Sequence, residues 1–166
     1  MNPVDLSHLR SVLFVPLADG RFLEKAHERG ADALLLDLED SVPPAQKAAA
    51  RARLPEAARR LADLGATVMV RVNASGELLS DDLKAAAKAP VTAVVLPKVE
   101  TPEHVTMAEY LLAGSRAKLV AMLESPAAVL DAVAISRAGT RLAGLDRKST
   151  RLNSSHIQKS RMPSSA

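Results

Sequence analysis

Five times along the chain a short apolar run stops at polar or charged residues and gives way to helix-forming sequence. The runs are 11–16, 33–37, 67–73, 92–96 and 118–124, and a sixth begins at 141–145. Short apolar runs bounded by turn chemistry read as buried strands. The intervening segments predict helices over 20–29 (closed by Gly30), 45–64, 78–89 and 126–136, and one opened by Thr101 as N-cap with Pro102 at its first position. Pro55 is expected to kink or divide the helix over 45–64. Strands joined in this way through helices must run parallel.

A parallel β/α alternation folds as an open doubly wound sheet or as a closed barrel, and the polar residues at the strand ends discriminate between them. Asp37 and Glu39, Arg71 and Asn73, Lys98 and Glu100, and Glu124 all fall at carboxyl ends of strands. In a barrel these ends surround one mouth, where ligands bind; in a doubly wound sheet they would be strung along an edge. The turn after the first strand, Leu17-Ala-Asp-Gly20, also lacks the glycine-rich dinucleotide fingerprint. The expected fold is therefore α/β, an incomplete (β/α)8 TIM barrel of about five and a half units, since a full barrel takes about 250 residues. The barrel domain is expected over 1–145. The Ser-, Arg- and Lys-rich segment 146–166 has no hydrophobic period; it is expected to be disordered, and it resembles translated adapter sequence.

Charge is unevenly spread. Residues 146–166 carry five basic residues and one acid, whereas 1–145 carry 17 basic and 18 acidic residues, so the overall net charge of +3 belongs to the tail. With aromatic residues at 2%, a nucleic-acid-binding surface with stacking platforms is not expected. The chain has no cysteine, which excludes disulfides, thiolate metal sites and a cysteine nucleophile and makes the cytoplasm the expected compartment. No signal peptide is read at the amino terminus, no apolar run approaches the roughly 18 residues of a membrane span, and no membrane partner is expected. His8, His27, His104 and His156 form no readable catalytic arrangement.

The richest of the strand ends is Asp37-Leu-Glu-Asp-Ser41, where three carboxylates follow the apolar run. Side-chain alternation puts Asp37 and Glu39 on one face, and Asp40 is open to two readings, a site residue or a cap for the following helix. In the third strand Arg71 shares a face with Met69 and Asn73. Either it binds an anionic substrate or it is a structural ion-pair partner of Asp37 or Glu39, and both can hold at once.

Arg10-Ser-Val-Leu-Phe-Val-Pro16, Gly30-Ala-Asp32, Asp37-Leu-Glu-Asp-Ser-Val42, Val70-Arg-Val-Asn73, Leu96-Pro-Lys-Val-Glu100 and Leu123-Glu-Ser125 occur in this order. Together they resemble the HpcH/HpaI aldolase and citrate lyase beta-subunit family over nearly all of 1–145. The resemblance implies a TIM barrel that uses Mg2+ to cleave or form a carbon–carbon bond in citryl-CoA, malyl-CoA or a related 3-hydroxyacyl thioester, carried on CoA or an acyl carrier protein. It implies Glu124 as metal ligand and substrate contact and Arg71 as the group that binds the substrate carboxylate and carbonyl. Asp37 is implied as a catalytic residue, with Glu39 and Asp40 tuning the site through hydrogen bonds. It also implies a homo-oligomer for a full-length member. A second Mg2+ ligand, an aspartate in a Gly-x-x-Asp setting, is expected after the sixth strand; Asp146 stands too close to Glu124 to be it, and is read as the first residue of the tail. The sequence is therefore expected to be an amino-terminal fragment of such a lyase, and the competing expectation is an inactive partial barrel that binds a ligand or another chain.

Overall fold

The computed structural model describes residues 6–18 and 20–147. Six strands, β1 (Val12–Pro16), β2 (Ala33–Asp37), β3 (Val68–Arg71), β4 (Ala93–Leu96), β5 (Lys118–Leu123) and β6 (Leu142–Arg147), form one sheet in sequence order. Every adjacent pair is parallel. A doubly wound sheet reverses its strand order; this one does not, and it has the winding of a TIM barrel with six of the eight strands. Between the strands lie α1 (Gly20–Glu24), α2 (Lys47–Asp63), α3 (Gly76–Ala86), α4 (Pro102–Leu111), α5 (Pro126–Leu130) and α6 (Ala132–Ser136).

Alternation along the strands creates two apolar layers. Leu34, Leu36, Val68, Val70, Val94, Leu96, Leu119 and Ala121 pack with helix residues in the main core. Their neighbours Ala33, Leu35, Met69, Ala93, Val95 and Met122 form a second cluster on the opposite face, against which Leu6 and Leu9 pack. Strands buried on both faces explain why the runs are continuously apolar rather than alternating. On α2 the buried residues are Ala50, Leu54, Ala58 and Leu61, the spacing of one helical stripe. A hollow of about 380 Å3 on the second face is lined by Leu9, Val12, Phe14, Leu35, Met69 and Met122 among others. Its one charged lining residue is Asp146 of β6; Asp37, Glu39, Arg71, Lys98 and Glu124 lie outside it, and it corresponds to the interior packing layer of a barrel.

Four local expectations change. The helix over 45–64 is not divided at Pro55; α2 runs through it, held on the core by buried residues on both sides of the proline. The 20–29 segment is α1 followed by a 3-10 turn, Ala26–Arg29, which Gly30 closes at φ 72° as anticipated. The 126–136 helix is broken at Asp131 into α5 and α6. Finally, β6 continues through Asp146 and Arg147, which pair with Met122 and Leu123, so the barrel segment extends two residues past the expected boundary. The remainder of the expected tail, 148–166, lies outside the described residues. Among the described residues no helix is long and apolar enough to cross a membrane.

Truncating the fully buried Leu54 to alanine removes the centre of the α2 stripe. Urea unfolding should show a loss of about 2–5 kcal/mol for Leu54→Ala, the range for leucine truncation in a packed core.

Candidate active site

The site begins with strand register. Asp37 and Arg71 are the last paired residues of β2 and β3 and lie directly opposite each other. Cross-strand partners project to the same face, about 5 Å apart, so a short acid and a long base there can meet. Arg71 donates from Nε to Asp37 Oδ1 at 2.8 Å and from Nη2 to Oδ2 at 2.7 Å, a bidentate pair buried on both sides. The Glu39 and Ser41 backbone N–H groups donate to the same carboxylate at 2.9 and 3.1 Å. The guanidinium carbon stands 5.0 Å from the centroid of the Phe14 ring on β1, a cation–π contact. Burial by itself would raise the Asp37 pKa, but these hydrogen bonds and the Arg71 charge outweigh it and hold the carboxyl below its ordinary value.

The other strand-end charges gather around this pair. Glu39, 5% exposed, bridges two cations: its Oε2 lies 3.1 Å from Arg71 Nη1 and its Oε1 2.8 Å from Lys98 Nζ. Asp40 stands at the rim, its Oδ2 3.8 Å from Arg71 Nη1. Lys98, just after β4, has φ 52°, in the left-handed region that residues with a Cβ rarely enter. Its ammonium pKa is raised chiefly by the contact with Glu39, with further contributions from the charges of Asp40 and Glu124. Glu124 directly follows β5, at the same end of the sheet as Asp37 and Arg71, and is tied to the cluster electrostatically through Lys98. Glu100 is exposed, and its backbone N–H donates to His104 Nδ1 at 3.3 Å.

Sequence reasoning overlooked Asp82, which is fully buried on α3. Asp82 accepts from Arg51 Nε at 2.6 Å and, through its other oxygen, from the backbone N–H and Nδ2 of Asn73 at 2.9 and 2.6 Å. Asn73 Nδ2 also donates to the Leu38 carbonyl at 3.0 Å, and Lys47 Nζ donates to the Leu38 and Glu39 carbonyls at 2.9 and 2.8 Å. These bonds clamp the backbone that carries Glu39, so Asn73 supports the mouth instead of lining it. The signal was present in the sequence: Asp82 falls on the stripe of Leu79, Leu83 and Ala86, where an acid needs a buried partner.

The amino-terminal end of the sheet carries a different pair. Asp32 accepts from the backbone N–H groups of Arg10 and Ser11 at 2.8 and 3.0 Å and from Arg10 Nη2 at 3.2 Å. The Arg10 side-chain and backbone hydrogen bonds pull the Asp32 carboxyl down to about 2. Thus two of the sequence motifs, Arg10-Ser11 and Gly30-Ala-Asp32, fasten β1 to β2 at the rim opposite the mouth.

The donor set is hard and oxygen-rich, which suits a divalent cation such as magnesium. Asp37 and Glu39 are committed to Arg71 and Lys98, and Glu124, directly after β5, is a strand-end carboxylate whose oxygens suit one position of such an ion. Magnesium usually takes one or two carboxylates and completes its shell with water and substrate oxygens. Among the described residues no three His, Asp or Glu side chains gather into a metal cluster. Asp146 lies within β6 opposite Met122 and lines the apolar hollow.

Sheet winding and strand-end charges together define a barrel-type α/β protein with a polar site at the carboxyl rim. The chain belongs to the HpcH/HpaI aldolase/citrate lyase family, whose model matches residues 10–146. It is 31% identical to the citrate lyase subunit beta of Leuconostoc mesenteroides subsp. cremoris, over 82% of this chain and 48% of that protein. A (3S)-malyl-CoA thioesterase of Cereibacter sphaeroides is 38% identical, over 82% of this chain and 47% of the relative. The crystal structure of the protein CitE from Mycobacterium tuberculosis in complex with magnesium, acetoacetate and coenzyme A superposes with a TM-score of 0.68 at 31% identity, covering 86% of this chain and 49% of that one. The chain spans about half the length of the curated relatives it matches.

The depressed Asp37 pKa has a definite sign. The stability it contributes is fully present above the ordinary carboxylate range near pH 4 and is lost as pH falls through the lower folded value. Asp37→Asn should cost about 3–5 kcal/mol at pH 7, because it leaves the buried Arg71 charge without its fork partner. Chemical denaturation from pH 7 to 2 should show a shallower acid loss in the variant than in the unaltered protein.

Proposed function

We propose that the mouth is the oxo-acid end of an Mg2+-dependent carbon–carbon lyase site acting on citryl-CoA, malyl-CoA or a related 3-hydroxyacyl thioester, on CoA or an acyl carrier protein. The observation that carries this reading is Arg71. A guanidinium has five N–H groups; Nε and one on Nη2 are spent on Asp37, and one on Nη1 faces Glu39. One N–H on each terminal nitrogen remains to take a substrate carboxylate and its neighbouring carbonyl oxygen, in a fork already oriented by Asp37. Because Asp37 accepts four hydrogen bonds, its role here is to position Arg71. Glu124 would hold magnesium, which when bound supplies Lewis-acid polarisation of the oxo-acid carbonyl. The acids Asp37, Glu39, Asp40 and Glu124 outnumber Arg71 and Lys98 by two charges, the charge of one divalent cation. Cleavage in this class removes the hydroxyl proton, breaks the carbon–carbon bond and passes the electron pair to an acyl thioester enolate, which is then protonated.

Calorimetry with oxaloacetate and Mg2+, alongside a citryl-CoA or malyl-CoA cleavage assay, tests the assignment. Arg71→Lys, which keeps the charge and loses the fork, should weaken oxaloacetate binding by roughly 10- to 100-fold. Glu124→Gln should remove the dependence of that binding on Mg2+. Oxo-acid binding indifferent to both substitutions would defeat the proposal. Binding without cleavage would instead fit a partial barrel that holds ligand but does not turn it over.

A further inference from the structure

The Glu39 carboxylate poses a problem for an anion site. It is almost fully buried and 3.1 Å from Arg71 Nη1, the guanidinium nitrogen that Asp37 leaves unoccupied. An internal anion there competes with a substrate carboxylate for the same donor. Its other oxygen is 2.8 Å from Lys98 Nζ, and Lys98 reaches it from a backbone turned into the left-handed region, φ 52°, at the end of β4. Such a conformation in a residue with a Cβ persists only where the surroundings impose it, and such residues cluster at functional sites. Here the turn brings an ammonium back over the acid. The backbone beneath Glu39 is itself pinned by Lys47 and Asn73, so the carboxylate is held in place by its loop and not by Arg71 alone.

We infer that Lys98 is a positioning residue that neutralises Glu39 and thereby keeps Arg71 Nη1 available for an anionic substrate. This deepens the functional reading above and rests on it. With Lys98 present, the buried acids Asp37 and Glu39 are matched by the bases Arg71 and Lys98, the two further charges of Asp40 and Glu124 are left for the divalent cation of that reading, and an incoming carboxylate meets unspent N–H groups. Without the ammonium the cluster carries one further negative charge, Glu39 has Arg71 as its one remaining cation, and the incoming anion is opposed on both counts. Lys98 thus acts on the substrate through Glu39 and Arg71.

Lys98→Met removes the charge and keeps the stem; Lys98→Gly removes the side chain and suits φ 52°, so it does not threaten the turn. Both should weaken oxaloacetate binding in the presence of Mg2+ by roughly tenfold, the scale of one charge-assisted hydrogen bond. In the cleavage assay the loss should fall on KM with kcat little changed. The deciding measurement is the double variant Lys98→Gly/Glu39→Gln, in which the competing anion is gone: binding should return to within about threefold of the unaltered protein. Failure of the double variant to recover would overturn the inference, because a lysine that touches substrate directly cannot be rescued by altering Glu39. Unchanged binding in both single variants, with only a lower unfolding midpoint, would reduce Lys98 to a structural ion pair and equally overturn it. If the unaltered protein binds no oxaloacetate, the oxo-acid reading and this inference fall together; binding that needs Arg71 but ignores Lys98 removes this inference alone.

Discussion

A buried arginine against a buried aspartate is expensive to assemble, because each ion loses its hydration and recovers it only through well-directed partners. The Asp37–Arg71 pair meets that condition. Register sets the two residues opposite each other, both carboxylate oxygens accept from the guanidinium fork, and two backbone N–H groups complete the shell. The rest of the mouth is arranged around this pair. Glu39 is drawn in by the third arm of the guanidinium, Lys98 by Glu39, and Phe14 presents its ring to the cation.

The supporting layer is as polar as the mouth. Asp82 lies inside an otherwise apolar helix stripe, yet it joins α2 to the loop after β3 through Arg51 and Asn73. Asn73 and Lys47 then hold the carbonyls that precede and include Glu39. A buried network of this kind rigidifies a site in so far as its members are satisfied. The three hydrogen bonds to the Asp82 carboxylate, all between 2.6 and 2.9 Å, satisfy the acid at the centre of the network, while Arg51 Nη2 is buried without a hydrogen-bond partner. The apolar layers carry the fold, and the polar layer fixes the angle at which charges face the rim.

Much of this was legible in the residues. Each strand was foreseen because a strand buried on both faces must be continuously apolar, and the place of Asp37, Arg71 and Glu124 at the carboxyl ends of strands was legible because a charge ending such a run has few places to go but the rim. Features set by competition between local preference and packing were harder to read. Pro55 disfavours a helix, but the buried stripe on either side of it keeps α2 intact. Asp131 interrupts a segment whose composition favours one continuous helix. Asp146 and Arg147 have no strand signal of their own and pair because β5 offers an edge in register.

The sequence by itself determined the kind of elements, their order and the end of the sheet at which the charges collect, because periodicity, turn residues and strand alternation are local properties of the chain. It also excluded thiolate chemistry, since the chain has no cysteine. Only the tertiary structure decided which charges meet. Alternation alone put Glu39 on the same face as Asp37, but nothing local says that it bridges Arg71 and Lys98, because those residues come from different parts of the sheet and meet through its register and curvature. For the same reason Asp82 acquired its meaning only when α3 packed beside α2 and brought an acid, an amide and a guanidinium from distant parts of the chain into one buried network.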